Sequence, residues 1–228
     1  LTGSSSLLGA QVVRQLVQRG DTVRVMQRRP SDVAEELGLE QHLGEVVDET
    51  VATAAVAGVD TVIHLAARVG VVGTRKQFFD TNVVGTRVVL AAAQNAGVQR
   101  FVFVSSPSVA HTGTALAGQG AEAADPRHAK GEYSKSKALA EKEVLAADGA
   151  GIATIAVRPP LVWGPGDTQL IGRIVERARQ GRLALVAGGR PLIDTTYLDN
   201  AADAVIAAAD RAQAGHGRAF IVSNGEPR

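Results

Sequence analysis

Tyr133 and Lys137 stand four positions apart in the run Tyr133-Ser134-Lys135-Ser136-Lys137. On a helix, residues so spaced share a face about one turn apart, so a phenol and an ammonium would converge. A free phenol titrates near pH ~10. A cation beside it stabilises the phenolate and lowers that value, which lets the tyrosine exchange a proton with a substrate oxygen near neutral pH. The string is short enough to arise by chance, so its meaning rests on its surroundings. The pattern from Glu132 to Ala147 is the helix expected to carry it.

A second group stands at the start of the chain, where Leu1-Thr2-Gly3-Ser4-Ser5-Ser6-Leu7-Leu8-Gly9 runs into a helix pattern over Ala10 to Arg19. A turn of small residues between strand and helix lets a pyrophosphate approach the backbone and the helix N-terminus, where unpaired N–H groups favour anions. Gly3, Ser5, Ser6, Leu7, Leu8 and Gly9 are therefore candidate cofactor contacts. Gly3, position 6 and Gly9 keep the spacing of a Gly-x-x-Gly-x-x-Gly loop, but position 6 is Ser6. Its Cβ would crowd a close phosphate, and its hydroxyl could donate to that phosphate in compensation.

The next strand ends Val25-Met26-Gln27-Arg28-Arg29-Pro30. At this place in a dinucleotide fold a carboxylate bonds the adenosine ribose 2′-hydroxyl, whereas arginine accommodates a 2′-phosphate. Arg28 and Arg29 offer two planar guanidinium forks and no carboxylate, which favours NADP over NAD. The competing reading makes them solvated turn residues.

These groups need elements to hold them. Strand-like runs lie at Thr22 to Met26, Thr61 to Leu65, Phe101 to Val104, Ile152 to Val157 and Phe220 to Val222. Helical patterns alternate with them at Gln11 to Arg19, Glu49 to Ala57, Lys76 to Ala96, Glu132 to Ala147, Gln169 to Gln180 and Asn200 to Arg211. Such alternation predicts an α/β fold, a doubly wound parallel Rossmann sheet with helices on both faces. Residues 1–160 form the expected nucleotide-binding domain. Residues 161–228 would supply part of a substrate lobe and return to the sheet. The chain opens on Leu1-Thr2-Gly3 and stops at Gly225-Glu226-Pro227-Arg228, just past a strand. It reads as a piece of a longer protein, with most of the first strand upstream.

Composition excludes several classes. At 228 residues, 45% hydrophobic and 21% charged, the chain can bury one substantial core. A net charge of +1 leaves no nucleic-acid footprint. Without cysteine there is neither a disulfide framework nor a thiolate metal site, and the five scattered histidines lack metal-ligand spacing, so no metal is expected. No apolar run approaches the ~20 residues of a membrane helix and no signal peptide is visible, so the expected location is cytoplasmic.

Further motifs follow in order. They are Asp60-Thr61-Val62-Ile63-His64-Leu65-Ala66-Ala67, Asn82-Val83-Val84-Gly85-Thr86, Phe103-Val104-Ser105-Ser106, and Arg158-Pro159 with Trp163-Gly164-Pro165-Gly166-Asp167. Thr196-Tyr197-Leu198-Asp199-Asn200 closes the series. With the opening loop and the Tyr133 helix, they make the chain resemble the extended short-chain dehydrogenase/reductase superfamily over nearly its whole length. Ser105-Ser106-Pro107-Ser108-Val109, the Lys137-Ala138-Leu139-Ala140-Glu141 continuation and Asp194 to Asn200 look most like its 3β-hydroxysteroid dehydrogenase family, and within it the bacterial 2-alkyl-3-oxoalkanoate reductases.

The resemblance implies roles. Ser106, Tyr133 and Lys137 would be catalytic, with Tyr133 relaying a proton, Lys137 lowering its pKa and holding the nicotinamide ribose, and Ser106 bonding the substrate oxygen. Leu65, Ala66, Ala67, Ser105, Pro159, Leu161 and Val162 would join Tyr133 and Lys137 against the cofactor. Glu45, with Val46 beside it, falls where the superfamily usually has an aspartate near the adenine amine. Asn82, a poor helix former inside a helix pattern, points to a structural or cofactor-side hydrogen bond, and His64 reads as a satisfied strand histidine. The implied substrate is a bulky hydrophobic ketone or secondary alcohol, with Leu161, Val162 and Trp163 lining its pocket and His111 and Arg190 as polar candidates. Two other readings stay open: a sugar-nucleotide epimerase or dehydratase, and a catalytically idle NADP(H)-binding regulatory protein. Against the epimerases, Ser106-Pro107-Ser108-Val109 lacks their tyrosine, and Ile193 replaces the arginine that meets a diphosphate. The helices at 76–96 and 132–147 could form a homodimer interface.

Overall fold

The computed structural model describes residues 1–228 except 71, 117, 119, 150, 169, 170, 185, 191, 227 and 228. Gln169, the first residue of one expected helix, lies outside the described residues. The strands are β1 (Arg24–Gln27), β2 (Glu40–Leu43), β3 (Thr61–His64), β4 (Arg100–Val104), β5 (Ala153–Arg158), β6 (Val162–Trp163), β7 (Thr196–Tyr197) and β8 (Arg218–Ile221). β1 pairs with β2, and β3, β4, β5 and β8 follow one another, all parallel. Thr2 makes parallel bridges to both Met26 and His64, which joins the two sets into one sheet. From Thr2 the chain first moves outward to β1 and β2, then returns to place β3 on the other side. A ligand crevice is expected at such a reversal, outside the carboxyl ends of the strands.

The central strands β3, β4 and β5 are mostly apolar because both faces are covered. Phe101 and Phe103 point with Val62 and Ala156 to one face, against α3 (Glu49–Val56), α5 (Gly85–Asn95) and α6 (Glu132–Ala146), through Val56, Val89 and Val144. Val102 and Val104, alternate in the pleat, point with Ile63 and Val157 to the other, against α1 (Leu7–Arg19) and α8 (Leu198–Asp210), through Val12, Leu16 and Val205.

The structure departs from the sequence expectations in a few places. β2, the short α2 (Asp32–Glu36) and the β6–β7 pair carry too few apolar residues to announce themselves. α1 begins at Leu7, so Leu7, Leu8 and Gly9 form its first turn. The single helix expected over 76–96 is broken into α4 (Arg75–Phe79), a π-turn at Asp80–Val84 and α5. Asn82 sits in that π-turn, the kind of interruption often found at functional sites. α7 (Ile171–Arg179) and α9 (Ala212–Gly215) complete the helices introduced here.

Candidate active site

The expected site residues gather along one edge of the sheet. Arg28 and Arg29 follow β1, Glu45 and Val46 follow β2, and Leu65, Ala66 and Ala67 follow β3. Ser105 and Ser106 follow β4, Pro159 follows β5, and Leu161 leads into Val162 of β6. The Gly3–Gly9 loop leaves Thr2 at the same edge, beside β1 and β3.

Two glycines in that loop are sterically required. Gly3 has φ +79°, and a Cβ there would lie 2.9 Å from the Ala66 nitrogen; a Cβ on Gly9 would lie 2.2 Å from the Gly3 carbonyl oxygen. Ser6 is different: its φ of −80° suits any L-residue, and it is the N-cap of α1. Its hydroxyl donates to the Gly3 carbonyl (2.9 Å) and accepts from the Gly9 N–H (3.0 Å). The serine therefore braces the loop through its own backbone. The amides of Leu7 and Leu8, at the start of the helix, have no upstream intrahelical carbonyl to bond, and Ser5 is exposed.

At the end of β1, Gln27 is buried and both its amide oxygen and its amide nitrogen are bonded. Its Oε1 accepts from the Ser4 hydroxyl, and its Nε2 donates to Gln41 Oε1 at 2.7 Å. Arg28 and Arg29 are exposed and have no partner among the described residues. Glu45 is exposed. The Val46 side chain, by contrast, belongs to the core: a Cβ on Gly85 would lie 2.4 Å from its Cγ2.

Ser106 caps a 3₁₀ turn, Pro107–Ala110, sharing a 2.9 Å hydrogen bond with the Ser108 hydroxyl. It also meets the Tyr133 phenol from α6. Burial raises the pKa of that phenol, the Ser106 hydrogen bond lowers it, and the net direction is up. Lys137 shares the Tyr133 face of α6, yet its ammonium goes elsewhere. It is buried, donates to the Val104 carbonyl at 2.7 Å and lies 3.9 Å from the centre of the Phe103 ring. The expected depression of the phenol by Lys137 is not seen in this structure, where burial dominates and the Lys137 ammonium bonds the Val104 carbonyl. Burial lowers Lys137 itself from 10.5 to about 7, against the opposing charge of Glu141.

Some supporting residues escaped the sequence reading. Glu141, one turn beyond Lys137, forms a buried pair with Arg158, whose Nε donates to Oε2 at 2.9 Å and whose Nη1 reaches the Glu122 carbonyl at 2.8 Å. A charged residue closing an apolar strand was the available signal. Asn82 clamps the backbone of Arg68 from both sides, accepting from its N–H (2.7 Å) and donating to its carbonyl (3.0 Å). Phe78 packs edge-on to Tyr133, with centroids 6.5 Å apart. The Ser105 hydroxyl is buried with no partner among the described residues. Leu161 stays 46% exposed, and Trp163 Nε1 donates to Thr195 Oγ1 at 3.2 Å. His111 gives its carbonyl to Lys130 N–H, and Arg190 is exposed. Among the described residues, no helix is long and apolar enough to cross a membrane.

The chain is similar to known proteins. The chain is 43% identical over 232 residues to the 2-alkyl-3-oxoalkanoate reductase of Stenotrophomonas maltophilia, covering all of this chain and 70% of that protein. It is 34% identical over 239 residues to the 3 beta-hydroxysteroid dehydrogenase/Delta 5→4-isomerase of Mycobacterium tuberculosis, covering all of this chain and 65% of the relative. Among solved structures, MoeE5 in complex with UDP-glucose and NAD superposes with a TM-score of 0.85 at 27% identity, over all of this chain and 76% of that one. The chain thus spans about two thirds of the length of the two curated relatives. The 3-beta hydroxysteroid dehydrogenase/isomerase family matches residues 1–228 throughout. The chain belongs to that family, and is an oxidoreductase of the short-chain dehydrogenase/reductase superfamily.

Proposed function

We propose that this protein reduces a bulky hydrophobic ketone, or oxidises the matching secondary alcohol, with NADP(H). The observation that carries the reading is the meeting of Tyr133 and Ser106 at the carboxyl edge of the sheet, beside a helix-capped loop that only glycine at positions 3 and 9 can form. The names of the relatives, a 3-oxoalkanoate reductase and a hydroxysteroid dehydrogenase, supply the substrate class.

The residues present suit a dinucleotide. The first turn of α1 offers amides to a pyrophosphate, and among the described residues the buried Ser105 hydroxyl and the exposed Arg28 and Arg29, which stand where a 2′-phosphate would lie, have no partner. Where a carboxylate would select NAD stands Gln27, bonded to Ser4 and Gln41. Bound there, the nicotinamide would supply or accept the hydride.

The protein's own residues handle the proton. With its pKa raised by burial, Tyr133 keeps its proton at neutral pH and serves as the acid that gives it to a carbonyl oxygen during reduction. Ser106 holds that oxygen beside the phenol. Lys137, titrating at about 7, can exchange a proton within the physiological range. Tyr133→Phe should lower kcat by roughly 10²–10⁴-fold, the usual weight of a positioned acid, with NADPH affinity nearly unchanged. Turnover within a few-fold of wild type on a panel of steroids and β-keto acids would refute the assignment. Replacing Arg28 and Arg29 with glutamate should cost NADPH kcat/KM at least tenfold relative to NADH; an unchanged ratio would sink the NADP preference.

A further inference from the structure

His64 is fully buried in β3, and the proton transfer proposed above does not use it. Both its nitrogens are nevertheless bonded: Nδ1 lies 2.8 Å from Thr2 Oγ1 and Nε2 lies 3.0 Å from Thr86 Oγ1. The direction of each bond can be deduced. The Thr86 hydroxyl spends its one proton on the Asn82 carbonyl, 2.7 Å away. Toward His64 it can only accept, so Nε2 must carry a proton. Nδ1 of the neutral ring is then an acceptor, and the Thr2 hydroxyl donates to it while receiving the Ala66 N–H at 3.0 Å.

The ring's surroundings favour its neutral form. Burial and the nearby Lys137 ammonium lower its pKa from 6.5 to about 3, and its ring neighbours are Phe101 and Phe103, at 5.9 and 6.0 Å. Beyond Thr86 the connection continues. Asn82 Nδ2 donates to Ser136 Oγ at 2.9 Å, and the Ser136 hydroxyl donates to the Tyr133 carbonyl at 2.8 Å. Thr2 immediately precedes Gly3. One set of hydrogen bonds therefore links the phosphate loop, the strand end at Ala66, the π-turn and the first turn of the Tyr133 helix.

We propose that His64 is a positioning residue which, as the neutral Nε2–H tautomer, registers the phosphate loop against the Tyr133 helix. The coupling rests on the dinucleotide reading above; the tautomer does not. Thr86→Val keeps the β-branched shape and removes the hydroxyl in the middle of the chain, at a position that touches neither end. Amide NMR shifts at Gly3–Leu7 and at Tyr133 should then move together in the cofactor-free protein. NADPH Kd should rise and kcat fall, each about tenfold, or ~1.4 kcal/mol, and Thr86→Ser should restore both. A purely structural role would lower the unfolding midpoint while leaving Kd and kcat of the folded enzyme unchanged, which would overturn the proposal.

A second measurement needs no destabilised variant. Long-range ¹⁵N–¹H spectra of histidine-labelled wild type, with His64 assigned by its loss in His64→Gln, should show a protonated Nε2 and a bare Nδ1 from pH 5 to 9. An Nδ1–H tautomer or an imidazolium would overturn the proposal. A wild type that shows the Nε2–H tautomer and the coupled amide shifts yet binds no NADPH supports the registering chain and sinks the cofactor reading.

Discussion

The sheet's carboxyl edge and α7 differ in how their side chains are held. At the edge, Lys137, Glu141, Arg158, Asn82 and His64 are buried and bonded to named partners. By contrast, α7 has no buried residue at all; Ile171, Ile174 and Val175 form an apolar stripe at helical spacing and are 36–40% exposed. The contrast separates two tasks. Polar groups that move protons need fixed neighbours, because an unpaired charge in a buried place is costly. The α7 stripe has no such neighbours, and its residues are free to change at small cost to stability.

The largest test of that contrast is Arg158→Met. Removing one partner leaves the Glu141 carboxylate buried and unpaired, so stability should fall by about 3–5 kcal/mol in urea unfolding. A loss below about 1 kcal/mol would mean that the buried pair is no firmer than the surface. Gly9→Ala comes next. Its Cβ would collide with the Gly3 carbonyl, so overpacking of about 1–3 kcal/mol should appear together with a loss of NADPH affinity measured by titration. Unchanged affinity would show that the loop can shift to accept a methyl group.

Lys137→Met sharpens the comparison through pH. The native lysine titrates at about 7 against 10.5 for the free group. Between those values the unfolded chain binds more protons than the native one, so the contribution of Lys137 to stability rises with pH across that window. Urea midpoints at pH 6.5 and 10 should therefore show the wild type gaining on the variant at the higher pH. A constant difference would contradict the burial of the ammonium. The smallest effect belongs to α7, where Ile174→Ser should change stability by no more than about 0.5 kcal/mol. A loss of 2 kcal/mol or more would reveal a covered face and erase the contrast.

Much of the fold was legible. Apolar runs such as Phe101 to Val104 and Ile152 to Val157 gave strands within one or two residues, because strands covered on both faces carry continuous apolar signals. β2, with Glu40, Gln41 and His42, has no such signal, since none of its residues is buried where it pairs with β1. The π-turn was hidden for another reason. Its sequence Asp80-Thr81-Asn82-Val83-Val84 is compatible with an ordinary helix, and only the folded chain shows the wider turn with Asn82 clamping Arg68 from it.

By itself the sequence determined the alternation of strands and helices, the glycine positions of the loop, the absence of a carboxylate after Met26, and the shared helical face of Tyr133 and Lys137. These follow from local periodicity and from steric limits within a few residues. Tertiary structure alone decided that Lys137 bonds the Val104 carbonyl and that Thr2 meets His64 across 62 positions. Such bonds depend on which side chains the sheet brings together and which donors are already spent. No local pattern along the chain carries that information.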